Sequence, residues 1–283
     1  MKREASMSTV DSETRYAKIN EDKSLAYRMF GEGQPIIFAN RFRGNLDSWD
    51  PAFLDSIAQT NTVIIFEYSG KSLSTGKQAK TYMEMAQDVI DLADSLKINR
   101  FTVAGWSLGG FVAQIVLTEF PERISHGILI GTRAPGLNVS PIRSEFFQHA
   151  LKPTNTLEDE IVLFFNPKYE SSKAAAQRSN ERLAIRKNDL SIPMSMEQIE
   201  KLTKVAGFAE NTYNTLEKMQ QTTLPILVLI GEDDVCFAAI DWTNLNGTLP
   251  TTQMILFGAA GHAPQHQYPE LAASYISLFL TGT

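Results

Sequence analysis

The chain has 283 residues, of which 43% are hydrophobic and 20% charged, with a formal net charge of −6. That suits one large globular domain, or a core with an inserted subdomain, and leaves no segment polar enough to require disorder. The acidic balance with scattered Lys and Arg argues against a nucleic-acid partner, and the single cysteine, Cys236, excludes an intramolecular disulfide and paired-cysteine zinc sites.

The first dozen residues are polar and read as loose. Their opening run, Met1-Lys2-Arg3-Glu4-Ala5-Ser6, lacks the apolar core of a signal peptide. No stretch approaches the roughly 20 apolar residues that span a bilayer, so a cytoplasmic protein with no membrane partner is expected. Residues 16–20 and 24–30 read as short strands around the polar turn Glu21-Asp22-Lys23, an opening hairpin. Residues 35–39 and 62–66 are short apolar runs between turn signals, which suits strands buried on both faces. Residues 49–58 between them are helix-like, and a loop rich in Gly and Ser covers 69–76. Over 82–96, Ala86, Val89, Ile90 and Ala93 recur at i, i+3, i+4, i+7, the stripe of an amphipathic helix. A strand over 101–104, a strongly apolar helix over 108–120 and a strand over 127–130 follow. Strands alternating with helices predict an α/β fold with a parallel sheet covered on both faces.

The alternation breaks at Ala134-Pro135-Gly136. From 136 to 222 the pattern is mostly helical, most clearly over 158–165, 172–187 and 196–205. Strand patterning resumes over 225–230 and 253–257, and a helix from 269 closes the chain, with Ala272, Tyr275, Ile276 and Phe279 on one face. The expected organisation is therefore an α/β core, residues 1–135 and 223–283, interrupted by a helical subdomain over 136–222. At roughly 85 residues the insert is too long for a plain loop in a compact domain.

Between the strand at 101–104 and the apolar helix stands Gly105-Trp106-Ser107-Leu108-Gly109-Gly110. A strand turning sharply into a helix strains its central residue, and small neighbours let the chain double back, leaving a serine hydroxyl exposed above the sheet. The helix that starts there aims its first amides at developing negative charge. The bare pattern arises by chance in about one chain in ten of this length, so the strand-before, helix-after context carries the argument. The plainer alternative is a helix-capping serine between packing glycines.

A nucleophilic serine needs a base, and the histidines are His126, His149, His262 and His266. His126 opens a strand and His149 lies in the insert. His262, in Gly258-Ala259-Ala260-Gly261-His262, follows the last strand at the carboxyl edge of the sheet, where α/β sites form. His266 is its competitor. An orienting carboxylate is expected from Glu232, Asp233 or Asp234, which follow the strand at 225–230, because the alternative loop 131–140 holds no Asp or Glu. A solvated acidic turn is the bland reading of that cluster. The order Ser, acid, His is that of α/β-hydrolases.

From about residue 13 onward the sequence resembles the α/β-hydrolase superfamily, most closely its small-molecule esterases, lactonases and cofactor-free haloperoxidase-like members. The resemblance rests on the Gly105–Gly110 elbow, the loop Gly231-Glu232-Asp233-Asp234 and Gly261-His262, in that order. It implies an eight-stranded, mostly parallel sheet flanked by helices, with 136–222 as a helical cap between the sixth and seventh core strands. It also implies Asp234 as the acid, three residues after the loop glycine, and the backbone amides of Phe42 and Leu108 as the oxyanion hole. The family commonly has His-Gly after its third strand; here the chain reads Asn40-Arg41-Phe42-Arg43-Gly44, and a backbone role needs no particular side chain. Arg41 is a candidate anchor for a substrate carboxylate, set against the plainer reading of a solvated or structurally paired arginine. The segment Glu67-Tyr68-Ser69-Gly70-Lys71-Ser72 departs from the family's Asp and second glycine and reads as a structural loop of altered shape. Serine at 107 excludes the haloalkane dehalogenase and epoxide hydrolase relatives, which need Asp there, and the dienelactone hydrolases, which use Cys.

The expected chemistry is acyl transfer from a small to medium apolar ester or lactone, with Ser107 as nucleophile, His262 as base and Asp234 orienting it, and no metal or cofactor. Trp106 and the insert aromatics Phe146, Phe147, Phe164, Phe165, Phe208 and Tyr213 are candidates for the pocket, although most of the latter are better read as the insert's own core than as pocket wall. Perhydrolase, lyase or low-turnover receptor function would use the same residues. The sequence leaves room for a homodimer.

Overall fold

The computed structural model describes residues 8–137, 139–206 and 211–283; the opening run 1–6 and Phe208 lie outside them. Eight strands, β1 (Arg15–Lys18), β2 (Ser24–Phe30), β3 (Gln34–Ala39), β4 (Asn61–Phe66), β5 (Phe101–Trp106), β6 (Ile124–Ile130), β7 (Ile226–Gly231) and β8 (Thr252–Phe257), form one sheet in the order β1-β2-β4-β3-β5-β6-β7-β8. β2 runs antiparallel to β1 and β4, and the other pairings are parallel. Helices α1 (Pro51–Ile57), α2 (Tyr82–Ser95) and α3 (Leu108–Glu119) connect strands in the first half, and α9 (Ala239–Thr243), α10 (Pro264–Gln267) and α11 (Pro269–Gly282) complete the second.

The continuous apolar runs make sense once both faces are covered. Successive side chains of a strand point to opposite faces. Ile37, Ile64, Val103, Leu129 and Val228 pack in the core beneath α2 and α3. Their neighbours Phe38, Ile65, Ala104, Ile128 and Leu229 face α1 and α11, where Phe53, Leu54, Ala272 and Ile276 close over them. The stripe expected on 82–96 is buried as expected. β6 begins at Ile124, so His126 lies inside that strand, packed against Phe279, instead of opening it.

Between β6 and β7 the chain forms α4 (Ser144–Ala150), α5 (Leu157–Phe164), α6 (Glu170–Leu183), α7 (Met196–Thr203) and α8 (Thr215–Gln221). The sequence reading covers α5, α6 and α7 and misses α4 and α8, each of seven residues and too short for a periodic signal. α5 and α7 start on capping boxes, Thr156 with Asp159 and Ser195 with Gln198. His149 pairs with Asp159 inside the insert at 2.6 Å.

The insert is fastened to the core through Asp50. This fully buried carboxylate caps α1 by accepting from the Ala52 amide, and it accepts from Ser179 Oγ at 2.7 Å and from Arg182 Nε and Nη2 at 2.7 and 2.6 Å. Removing one partner of such a pair strands the other's charge in a poorly solvated place. Asp50→Ala is therefore expected to lower unfolding free energy by about 3–5 kcal/mol, read from urea denaturation; a change under 1 kcal/mol would show that the fastening is idle.

Candidate active site

The chain passes from β5 into α3 through a single residue, Ser107, whose backbone is held at φ 58° and ψ −120°. A left-handed φ in a non-glycine residue is strained and persists only where the surroundings impose it. Here the surroundings are backbone. A Cβ on Gly105 would lie 2.0 Å from the Gly109 carbonyl oxygen, and one on Gly109 would lie 2.0 Å from the Ala39 carbonyl oxygen at the end of β3. The two glycines thus set the separation of β3, β5 and α3. The Ser107 carbonyl accepts from the Gly110 amide (2.9 Å) and from Thr132 Oγ1 (2.7 Å), so the turn is held from both sides. Gly109→Ala is expected to cost about 3 kcal/mol, seen as a lower urea midpoint; an unchanged midpoint would mean that β3 yields easily.

The hydroxyl of Ser107 lies 2.8 Å from His262 Nε2, and His262 Nδ1 lies 2.7 Å from Asp234 Oδ2. All three residues are buried. His262 follows β8 on a loop pinned from below, where Trp106 Nε1 donates to the His262 carbonyl at 2.9 Å. Asp234 is aimed by two amides, those of Cys236 and Phe237, which donate to its other oxygen at 2.7 and 3.0 Å. The remaining acids of the cluster have other tasks. Glu232 accepts from the Ala259 amide, and Asp233 pairs with Arg143 (2.9 Å) and Lys168 (2.7 Å) of the insert.

His266, the competing histidine, faces away from the serine. Its Nε2 accepts from the Asp50 amide and its Nδ1 lies 3.3 Å from Ser179 Oγ; burial pulls its pKa down to about 4, with Arg41 and Arg182 adding repulsion against Asp50's attraction. It is a neutral structural group.

Such a chain of hydrogen bonds can move the hydroxyl proton to the imidazole while the carboxylate fixes the ring's tautomer and steadies its charged form. Leu108 opens α3, so its amide has no acceptor within the helix. Phe42 lies with Ser107 and His262 in the lining of one cavity of about 300 Å³. Phe146 and Phe164 of the insert line it too, and Phe164 stacks on the His262 ring with 6.3 Å between centroids and 15° between planes. Phe237 packs 5.5 Å from the same ring, a contact the sequence reading missed because nothing in the acid loop marks it. Phe165 is buried in the insert, Tyr213 packs against the main core, and Phe147 is exposed.

Two expectations change. Arg41, Arg43, Asn45, Ser48, Asn155 and Glu160 share the lining with the aromatics, so the cavity is not the apolar one expected. Its polar side comes from the 40–48 loop and from α5, whose roles the insert's composition did not reveal. Trp106 is almost wholly buried against Trp49, Phe164 and His266 and borders only a second cavity of about 300 Å³. It supports the His262 loop rather than the reacting centre.

Arg41 is half-buried and not paired with a carboxylate. Its guanidinium carbon lies 5.1 Å from the Trp106 ring and 4.6 Å from the Phe164 ring, Nη1 donates to the Phe42 carbonyl, and Nε has no partner. Burial lowers its pKa to about 10, against the attraction of Glu160. The Glu67–Ser72 segment is the structural loop expected. The buried Glu67 carboxylate accepts from the Leu46 and Leu73 amides, and the Lys71 ammonium donates to the Gly44 carbonyl, bracing the 40–44 loop.

A sequence model of the alpha/beta hydrolase fold matches residues 34–269. The chain belongs to that family. It is similar to an alpha/beta hydrolase fold protein from Chitinophaga pinensis, at 26% identity and a TM-score of 0.83 over 97% of this chain and 99% of that one. It is 25% identical, over 97% of both chains, to a Bacillus subtilis protein provisionally named 2-succinyl-6-hydroxy-2,4-cyclohexadiene-1-carboxylate synthase. A pimeloyl-acyl-carrier-protein methyl ester esterase of Nitrosomonas europaea is 23% identical over 90% of this chain and 98% of its own. Among the described residues no helix is long and apolar enough to cross a membrane, and no group of three or more His, Cys, Asp and Glu side chains is placed to hold a metal.

Lys71 gives this hydrolase-fold chain a pH signature. Burial, with repulsion from Arg41 opposing attraction to Glu67, lowers its pKa from 10.5 to about 7. Between those values the unfolded chain binds the extra proton, so the lysine makes stability rise with pH from about 7 toward 10. Lys71→Met is expected to flatten that rise in urea midpoints taken at pH 7, 8 and 9; parallel curves would place the ammonium in water.

Proposed function

We propose that this chain is a serine hydrolase of carboxylic esters or lactones working through an acyl-enzyme. The observation that carries the reading is the unbroken hydrogen-bond chain Ser107–His262–Asp234, 2.8 and 2.7 Å long, opening on a cavity. In this reading His262 Nε2 takes the Ser107 proton as the oxygen attacks the ester carbonyl. Asp234 orients and stabilises the imidazolium, and the amides of Phe42 and Leu108 receive the oxyanion. The protonated imidazole then gives its proton to the leaving alkoxide, and water activated by the same base frees the acid. The helical insert acts as a cap, with Phe164 and Phe146 closing over the imidazole. A cavity of about 300 Å³ suits small to medium substrates.

Hydrolysis of 4-nitrophenyl esters from acetate to decanoate tests the reading. Ser107→Ala is expected to abolish turnover, and Asp234→Asn to lower kcat by on the order of 10³–10⁴. Activity surviving in Ser107→Ala would remove the nucleophile from the scheme.

A second reading is a lyase that works by elimination with the same three residues and no acyl-enzyme, and the match over 97% of both chains to a protein named as a synthase keeps chemistry other than ester hydrolysis within reach of this fold. Turnover in ¹⁸O-labelled water separates them: hydrolysis places label in the acid product, elimination does not.

A further inference from the structure

The hydrolytic scheme leaves Arg41 without a task, although its guanidinium lines the cavity that holds Ser107. Arg43, two residues on, spends its nitrogens on the carbonyls of Ala150, Lys152 and Pro153. Arg28 and Arg182 are paired with Asp47 and Asp50. Arg41 has five N–H donors; one meets the Phe42 carbonyl and the buried Nε meets nothing. Among the described residues no carboxylate lies within 4.0 Å of it, and Glu160, in the same lining, acts only through space while bonded to Asn180. The rings of Trp106 and Phe164, themselves 5.4 Å apart, both border the guanidinium, and together with the Phe42 carbonyl they hold its direction before anything binds. A half-enclosed cation with fixed, unused donors is a costly feature unless an anion completes it. The second cavity, sharing Arg41, Ser48, Glu160 and Phe164 with the first, provides room for the group that carries the anion.

We propose that Arg41 determines specificity by binding a carboxylate on the substrate, so that the preferred substrates are half-esters of small dicarboxylic acids. The inference rests on the serine-hydrolase reading for its chemistry, not for its binding. Hydrolysis then yields the free dicarboxylate and an alcohol, with water supplying one proton to the alcohol and the oxygen to the new acid.

The test compares monomethyl with dimethyl succinate, glutarate and adipate, following methanol release. Wild type is expected to favour the monoester at least tenfold in kcat/KM at one chain length. Arg41→Gln should erase that ratio, and Arg41→Lys should keep part of it by retaining the charge. Equal rates for both ester forms in wild type, or an Arg41→Gln variant that slows both equally, would overturn the proposal and leave the hydrolase reading standing. Calorimetry in the Ser107→Ala background reads binding without turnover. There monomethyl adipate should bind at least tenfold more tightly than dimethyl adipate, and Arg41→Gln should remove the difference. That result would uphold the anion site even in a protein that hydrolyses neither ester, whereas absence of any such difference would overturn it.

Discussion

Where β5 ends, the chain has one residue in which to reverse from strand to helix, and the position of everything at the site follows from how that is done. Gly105 and Gly109 let backbone meet backbone at distances that no side chain permits. Ser107 takes the strain of a left-handed φ in return, held there by the Gly110 amide and Thr132. The hydroxyl has no freedom to wander, so its distance from His262 is decided by the sheet. The same strand supplies the other half of the arrangement: Trp106, one residue before the serine, holds the His262 loop by its carbonyl. Two adjacent residues of one strand end thus fix both partners of the 2.8 Å contact.

This economy explains why so much of the site was legible in the sequence. Backbone demands leave strong marks: a Gly-x-Ser-x-Gly pattern between an apolar strand and an apolar helix, a glycine and histidine after the last strand, an acid after the strand before it. Each predicted member, Ser107, Asp234 and His262, lies where the elements bring the chain to the carboxyl edge of the sheet. The parallel core was legible for a similar reason, since strands covered on both faces become unbroken apolar runs such as 62–66 and 226–230. What was hidden depends on contacts between distant segments. Phe237 against His262, Glu160 in the cavity wall and Arg41 beside the Trp106 and Phe164 rings leave no local pattern. The short helices α4 and α8 escaped because seven residues hold barely two turns, too few for a period to declare itself.

The acidic trio after β7 shows how a structure resolves what composition leaves degenerate. Glu232 ties the end of β7 to the His262 loop, Asp233 ties it to the insert through Arg143 and Lys168, and Asp234 alone turns toward the imidazole. The turn that follows β7 sends one carboxylate to each neighbour of the loop. A solvated turn would have left all three in water; here each restrains a different part of the site.

The loop from Asn40 to Gly44 makes the complementary point. Without the family's usual His-Gly, it is held by side chains on every side. Asn40 donates to the Phe66 carbonyl and accepts from Trp49, Arg43 reaches three carbonyls of the insert, and Lys71 braces Gly44 from beneath. Such a loop is fixed without the family's glycine, at the expense of gathering the half-buried Arg41 and Arg43 and the buried Lys71 close together. Mutual repulsion there is answered unevenly: Arg43 by three carbonyl dipoles, Lys71 by Glu67 and a pKa near 7, Arg41 by one carbonyl, two aromatic rings and Glu160 acting through space. An anion entering the cavity finds unused donors at Arg41. In the anion site proposed at Arg41, this asymmetry of the loop and the shape of the cavity act together on which substrates are held.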